Sequence, residues 1–570
     1  MTQQIHMMNG NGAVPDAPIA EAVGERDALA VTAVLLCQGL QTAGKGLDVE
    51  ELRRWLEKAD PGVRVILTPD LCHKPGELQR VAAFGAQHVV LGLCSLDYDE
   101  SEVQSQARQA GLDPHGIEAV DLGEFCDRPG GGSNGMEIAK LLLVAAVAKA
   151  GAYPGSSPEN IKPYILPLTQ KVSRRALFTL PPIRHRVVPS INGRRCIANA
   201  GCALCVKACP RDALERDMGK MRLNKSRCEG CGLCMTACTT EAIQFPGNAS
   251  AQFEAQINAL LETDSVALKE RRILFTCQLG VQADAKTGRD SSVASDCWLP
   301  VQVPCVGMVP VSLILQCLAR GAVAVGVASC EAGCTFNQDE TIRGRIDYCR
   351  DLLRLLGGSP DRVQLVSAGD RPSQEQPSTD LEIGRARGRG AEVSLQSMVG
   401  PKATVDALGR LLMEYGASPT FSLEHPHSPL GVVSVEPQNC TGCDLCAGVC
   451  PTSALQFERG DADLMLTFDA SLCTACGQCA AVCPETTTEV IRVHRVTDLA
   501  CLNQQRVTLY KDTDTLCEVC GVPVAPHNMV QRVVALLGEE HSALTDQLTR
   551  FCPSCREAPG AWSPVPTENQ

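Results

Sequence analysis

Four tetrads hold half of the 32 cysteines in this 570-residue chain, and they limit its folding more than any other feature. They are Cys196/Cys202/Cys205/Cys209, Cys228/Cys231/Cys234/Cys238, Cys440/Cys443/Cys446/Cys450 and Cys473/Cys476/Cys479/Cys483. A Cys-x-x-Cys-x-x-Cys-x-x-x-Cys turn offers three thiolates to three irons of a cubane and turns the fourth toward a neighbouring cluster. Zinc fits such a turn poorly, because it takes one tetrahedron from two separated pairs. The tetrads come in tandem, about 20 residues apart, as in two-cluster ferredoxins, so each pair is expected to exchange its fourth ligand. Cys196, Cys202 and Cys205 are thus paired with Cys238, and Cys228, Cys231 and Cys234 with Cys209. In the later tandem, Cys440, Cys443 and Cys446 are paired with Cys483, and Cys473, Cys476 and Cys479 with Cys450. The first loop departs from the pattern: five residues separate Cys196 from Cys202. Cys238 is followed by Thr239 rather than by proline.

The remaining bulk properties narrow the setting. The length fits roughly four domains, and 44% hydrophobic content excludes a disordered chain. A net charge of −13 with no Lys/Arg-rich run argues against nucleic acid, whose phosphates need a concentrated basic surface. Thiolate ligands imply a reducing compartment. The N-terminal stretch lacks the apolar core of a secretory signal, and no later run reaches the ~18 apolar residues of a membrane span. Ser173-Arg174-Arg175-Ala176-Leu177-Phe178 looks like a twin-arginine motif, but it is internal and no apolar segment follows it, so it reads as linker. The cytoplasm is the expected compartment, including the inner face of a membrane complex.

Along the chain, residues 1–26 read as a disordered tail. Residues 27–155 alternate strand-like runs (AVTAVLL, VRVILT, HVVLGL) with helix-like ones (VEELRRWLEKA, ESEVQSQARQAG), the pattern of an open α/β domain. Cys37, Cys72, Cys94 and Cys126 close its apolar runs and would share the carboxyl edge of a parallel sheet, where such folds bind ligands. The PGGGSNG loop before MEIAKLLLVAAVAKAG reads as a connector, since no Walker lysine or dinucleotide fingerprint accompanies it. Residues 156–192 read as a Pro-rich linker and 193–247 as the first ferredoxin module. A second α/β unit is expected over 269–368, with Cys277, Cys305, Cys330 and Cys334 above one sheet edge and Cys330-Glu-Ala-Gly-Cys334 able to give two ligands to one iron. Another linker, 369–398, precedes the second ferredoxin module at 430–495. Within 510–560, Cys517/Cys520 and Cys552/Cys555 form two knuckles of one tetrahedral site. Zinc is the expected occupant, with a single redox iron as the alternative. Cys317 and Cys349 lie in apolar helix patterns and read as core, while Cys297 and Cys501 are unassigned.

These motifs carry resemblances. AVLLCQG, TPDLCHKPGE, VVLGLCS and GIEAVDLGEFC resemble, in order and spacing, the first domain of the A-type subunit of heterodisulfide reductase, which implies a [4Fe–4S] site on Cys37, Cys72, Cys94 and Cys126. The flavin domain that follows in that family has no counterpart here, so no flavin is expected. FTC, VQVPCVGMVPVSLILQCLARGAVAVGVASCEAGC and RVQLVSA resemble the delta subunit of methyl-viologen-reducing hydrogenase. That resemblance implies a [2Fe–2S] cluster on Cys277, Cys305, Cys330 and Cys334. The domain order and the CEVCG…FCPSCR ending resemble iron–sulfur proteins that accompany formate dehydrogenases.

The fold class expected is multidomain α/β plus α+β: two open, flavodoxin-like α/β domains, two bacterial-type dicluster ferredoxin modules and a C-terminal four-cysteine knuckle. The cofactors expected are four [4Fe–4S] clusters, one [2Fe–2S], a fifth [4Fe–4S] on the N-terminal four cysteines, and zinc or iron at the knuckle. The function expected is that of a non-catalytic electron-transfer subunit. Its partners would be the other subunits of a formate dehydrogenase-, hydrogenase- or heterodisulfide-reductase-like complex. Two alternatives stand beside it: a self-contained reductase with an unseen cofactor site, and an assembly or redox-sensing factor.

Overall fold

The structure is a computed structural model that describes residues 32–164, 184–277, 298–366 and 400–557 apart from short internal stretches, among them 72–77 and 124–133. It is a mixed α/β molecule with several sheets. The N-terminal sheet is parallel, ordered Val63–Thr68, Thr32–Cys37, His88–Leu93, Ile117–Asp121. Its Thr32–Cys37 strand is buried along its whole length, which explains its unbroken apolar sequence. The Val49–Ala59 helix covers it with Val49, Leu52 and Leu56, spaced to one face. Asp48 caps that helix by accepting the amides of Glu50 and Glu51, a contact worth ~1 kcal/mol.

The Asn134–Gly151 helix buries Leu141, Leu143, Ala145 and Ala150 because it lies between this sheet and the Ser250–Glu262 helix that follows the first cysteine tandem. Glu137 accepts the Ala267 amide at 2.8 Å, and the Gln252 side chain donates to the Lys149 carbonyl. The N-terminal unit is therefore fastened to the tandem by main-chain as well as apolar contacts. In the stretch read as linker, Ile161–Tyr164 pairs antiparallel with Arg184–Val187.

A second parallel sheet has the order Trp298–Val303, Arg272–Cys277, Ala324–Ala328, Val363–Val366. The Asp339–Leu356 helix lays Ile342, Ile346, Cys349, Leu353 and Leu356 inward and stops at Gly357, whose φ of 82° reverses the chain. Each cysteine tandem is bracketed by a short antiparallel pair, Ser190–Ile191 with Ile243–Gln244 and Val432–Val435 with Ile491–His494. The second tandem also carries a four-stranded sheet, ordered Leu455–Arg459, Asp463–Phe468, Val507–Leu516, Pro523–Pro526. Its third strand leads straight into Cys517, so the terminal knuckle grows out of that sheet.

One apolar core runs from Val34 through Phe245 and Phe275 to Leu411 and Leu430, whereas the second tandem has its own core around Leu464, Leu466 and Tyr510. The two bodies meet at Tyr348, fully buried, whose hydroxyl lies 2.6 Å from that of Thr497. Tyr348→Phe is expected to lower stability by about 1 kcal/mol, because Thr497 keeps only its Ser428 partner. The check is the urea midpoint of the loaded protein; an unmoved midpoint would show that this contact contributes nothing.

Candidate metal centres

The ligand turns are built by backbone that few residues tolerate. Gly230 and Gly232 have φ of 68° and 80°, Gly442 and Asp444 64° and 66°, Ala475 and Gly477 50° and 74°. The same two places in three loops are thus left-handed, at ~1–2 kcal/mol where the residue is not glycine. Alternating the hand in this way turns amide N–H groups into one concavity that favours negative charge. The amides of Leu233, Gly442 and Ala475 accordingly bond the sulfurs of Cys231, Cys440 and Cys473. The third cysteine of each tetrad sits in a short helix that starts there. The enlarged first loop uses its extra residues for a 3₁₀ turn at Ala198–Ala200 and recovers the left-handed place at Gly201, φ 94°, just before Cys202.

The fourth cysteines cross between loops. Cys238 lies close enough for its charge to act on Cys202 and Cys205, and Cys205 also feels Cys196. Cys209 acts likewise on Cys231 and Cys234, Cys483 on Cys440, and Cys450 on Cys473 and Cys479. We refer to these four groups as nest A (Cys196, Cys202, Cys205, Cys238), nest B (Cys228, Cys231, Cys234, Cys209), nest C (Cys473, Cys476, Cys479, Cys450) and nest D (Cys440, Cys443, Cys446, Cys483). At nest C a cavity with about 320 Å³ of non-protein space, partly open to solvent, is lined by Cys450, Cys473, Cys476 and Cys479 together with Val433, Leu455 and Phe468.

Burial and then the neighbouring sulfur charges push Cys205, Cys446 and Cys479 up to about 12. Burial likewise raises Cys231, Cys440 and Cys473 to about 11. Four thiolates so placed need cationic charge in their midst, and bound iron would supply it as the protons leave. Amides of Ala213, Ala242 and Leu455 donate to the crossing sulfurs of Cys209, Cys238 and Cys450 at 3.3, 3.3 and 3.5 Å. The donor set, its amide lining and its apolar walls therefore fit an iron–sulfur cluster at each nest.

The second parallel sheet brings Cys277, Cys305 and Cys330 to one carboxyl edge, because the Cys277 strand runs between the other two. Cys277 and Cys305 are hydrogen-bonded to each other, and that contact, aided by burial, holds the Cys305 thiol well above its ordinary range. Cys330 pairs with Cys334 and accepts the Gln338 amide at 3.3 Å. Arg345 went unnoticed in the sequence. Its buried guanidinium donates to the carbonyls of Gly307 and Val309 at 2.6 and 2.7 Å and so fixes the turn after Cys305. The only hint was an arginine falling three residues after Ile342 in an apolar stripe.

In the N-terminal sheet Cys37 and Cys94 end adjacent strands with their sulfurs 3.6 Å apart; Cys72 and Cys126 lie outside the described residues. The sulfurs of Cys517, Cys520, Cys552 and Cys555 all lie within 4.8 Å of one another, a group able to hold one metal ion. A paired contact between Arg550 and Glu518, both bonds 2.7 Å, draws the second knuckle to the first. The Cys552 amide leads the bonds that bring Cys517 down to about 6, toward the thiolate a metal requires. Cys317 and Cys349 are fully buried core, as their helix patterns imply; Cys297, Gly130 to Gly132 of the PGGGSNG loop and the twin-arginine-like segment lie outside the described residues.

Two measurements test these sites. The Thr240 hydroxyl, 3.5 Å from the Cys238 sulfur, can only donate to it once that sulfur is a thiolate. Thr240→Val should therefore lower the potential of the group held at nest A by about 20–60 mV, 59 mV being a tenfold change for one electron. Cys520→Ser should cost one zinc or mononuclear iron per chain by elemental analysis and leave the nests loaded. Against known families, residues 273–377 match the delta subunit of methyl-viologen-reducing hydrogenase, and residues 189–242 and 439–487 each match a 4Fe-4S dicluster domain. No curated protein matches the chain. The chain is thus similar to that delta subunit across one α/β unit and carries two dicluster domains, which imply [4Fe–4S] clusters and an electron-transfer role.

Proposed function

We propose that this chain is an iron–sulfur electron-transfer subunit that relays single electrons within an oxidoreductase complex of formate dehydrogenase-, hydrogenase- or heterodisulfide-reductase-like type. The crossed nests carry the reading, since every nest draws its thiols from two loops, as a pair of one-electron clusters in a ferredoxin module requires. Nests A to D would each hold a [4Fe–4S] cluster, Cys277, Cys305, Cys330 and Cys334 a [2Fe–2S], and the terminal four cysteines zinc or iron. The Cys37–Cys94 contact supports a fifth [4Fe–4S] site shared with Cys72 and Cys126. Bound clusters of these kinds take up and release one electron each. The protein would hold them at fixed spacing, keep water from the sulfurs with residues such as Leu455 and Phe468, and adjust each potential through amide and hydroxyl donors.

The delta-like unit favours a partner oxidoreductase over independent activity. No helix among the described residues is long and apolar enough to cross a membrane. The reducing surroundings that so many thiolate ligands need make the cytoplasm the proposed location. Protein purified without oxygen should contain about 18 iron atoms per chain, or about 22 with the N-terminal site filled, with sulfide to match. Colourless protein with fewer than about four irons would overturn the reading.

A further inference from the structure

We propose that the thiolate nests stand in a single file, in the order Cys277/Cys305/Cys330/Cys334, nest B, nest A, nest C, nest D, so that nests B and A stand between the delta-like site and the nests of the second module. The proposal rests on the electron-transfer reading above and adds the order and the two junctions.

The first junction is a double contact between ligand loops. Gly232 directly follows Cys231, and a Cβ on it would lie 2.7 Å from the Met308 sulfur. Met308 in turn donates its amide to the Cys305 carbonyl at 3.0 Å. Leu233 packs on the neighbouring Gly307, 3.0 Å from where its Cβ would stand. On the other side of the same nest, the Arg211 guanidinium lies 5.0 Å over the Phe336 ring. Arg211 is two residues past Cys209 and Phe336 two past Cys334. Both loops that build nest B therefore press on the two turns that carry Cys305 and Cys334, and Cys231 and Cys305 are within range of each other's charge.

The second junction is formed by the loop whose sequence is irregular. The Cys202 sulfur, which follows the five-residue spacer, lies close enough to that of Cys476, in the other module, for their charges to interact. Inside the modules, Cys205 faces Cys234, and Cys446 faces Cys479. Gly232 and Gly201, both left-handed, are the hinges on which the two outward-facing loops turn. Each exchange along the file would move one electron from a reduced group to its oxidised neighbour without making or breaking a bond. A reduced one-electron carrier of the partner oxidoreductase would supply it and an oxidised one would accept it.

The test is electron paramagnetic resonance on the full chain, purified without oxygen and reduced with dithionite, with iron counted in each sample. Cys231→Ser should remove about four irons and slow relaxation of the [2Fe–2S] signal at least about threefold, because its fast-relaxing neighbour is gone. Cys446→Ser should remove the same iron and leave that signal unchanged. Cys476→Ser should narrow the nest A signal and also leave the [2Fe–2S] signal unchanged. The order is overturned if the [2Fe–2S] relaxation responds to Cys446→Ser but not to Cys231→Ser in iron-loaded protein. Wild-type chain without iron would instead sink the electron-transfer reading itself. Should Cys231→Ser shed all its iron, Gly232→Val decides: it keeps every cysteine, forces the loop off Met308 and should slow the same relaxation, whereas unchanged relaxation overturns the first junction.

Discussion

Buried negative sulfur is the constraint from which the rest of the molecule follows. Gathering four thiolates in a space walled by residues such as Val433, Leu455 and Phe468 is opposed by desolvation and by their mutual repulsion. The raised thiols of Cys205, Cys446 and Cys479 express that opposition directly. Two forces offset it. Amide dipoles turned inward by left-handed residues give partial positive charge at each turn, and iron gives the remainder. The second is by far the larger, so a nest is stable as a nest only when loaded. Ala475 at φ 50° is a small local strain accepted to keep an amide on Cys473.

That constraint explains why the modules are embedded rather than strung on flexible tethers. Electron exchange depends on fixed separations, and fixed separations need packed surfaces between the loops. The Ser250–Glu262 helix ties the first module to the N-terminal unit, Met308 and Leu233 tie it to the delta-like unit, and Tyr348 ties that unit to the second module. A polar contact at Tyr348 adds direction to an apolar interface: its hydroxyl meets that of Thr497, which is held in turn by the Ser428 hydroxyl.

Much of this was legible in the residues. Periodic runs placed the helices at Val49–Ala59, Asn134–Gly151 and Asp339–Leu356, and apolar runs placed the strands of both parallel sheets except Val363–Val366. Tandem spacing predicts that each fourth thiol belongs with the other loop, because the turn geometry that makes a tetrad leaves its last sulfur facing away. What escaped was non-local. Val507–Leu516 has no unbroken apolar run to mark it as a strand, yet it pairs with Asp463–Phe468 and carries the knuckle. Arg345, Phe336 and Met308 owe their roles to what lies across the interface, and no local spacing encodes that.

The irregular first loop shows how a departure from pattern can be informative. A standard two-residue spacer would hold Cys196 and Cys202 on one tight turn, as Cys228 and Cys231 are held. Here the spacer makes a 3₁₀ turn, and Asn199 of that turn is close to Gly219, where a Cβ would stand 3.3 Å from its Cα. The hairpin Leu214–Asp217/Lys220–Leu223 thus supports the longer loop from beneath. Gly219, left-handed at φ 73°, permits that approach, so the loop is braced by its own module. A braced loop can carry Cys202 outward toward the second module without losing Cys196 from the group, which an unsupported lengthening of the two-residue spacer to five could not do.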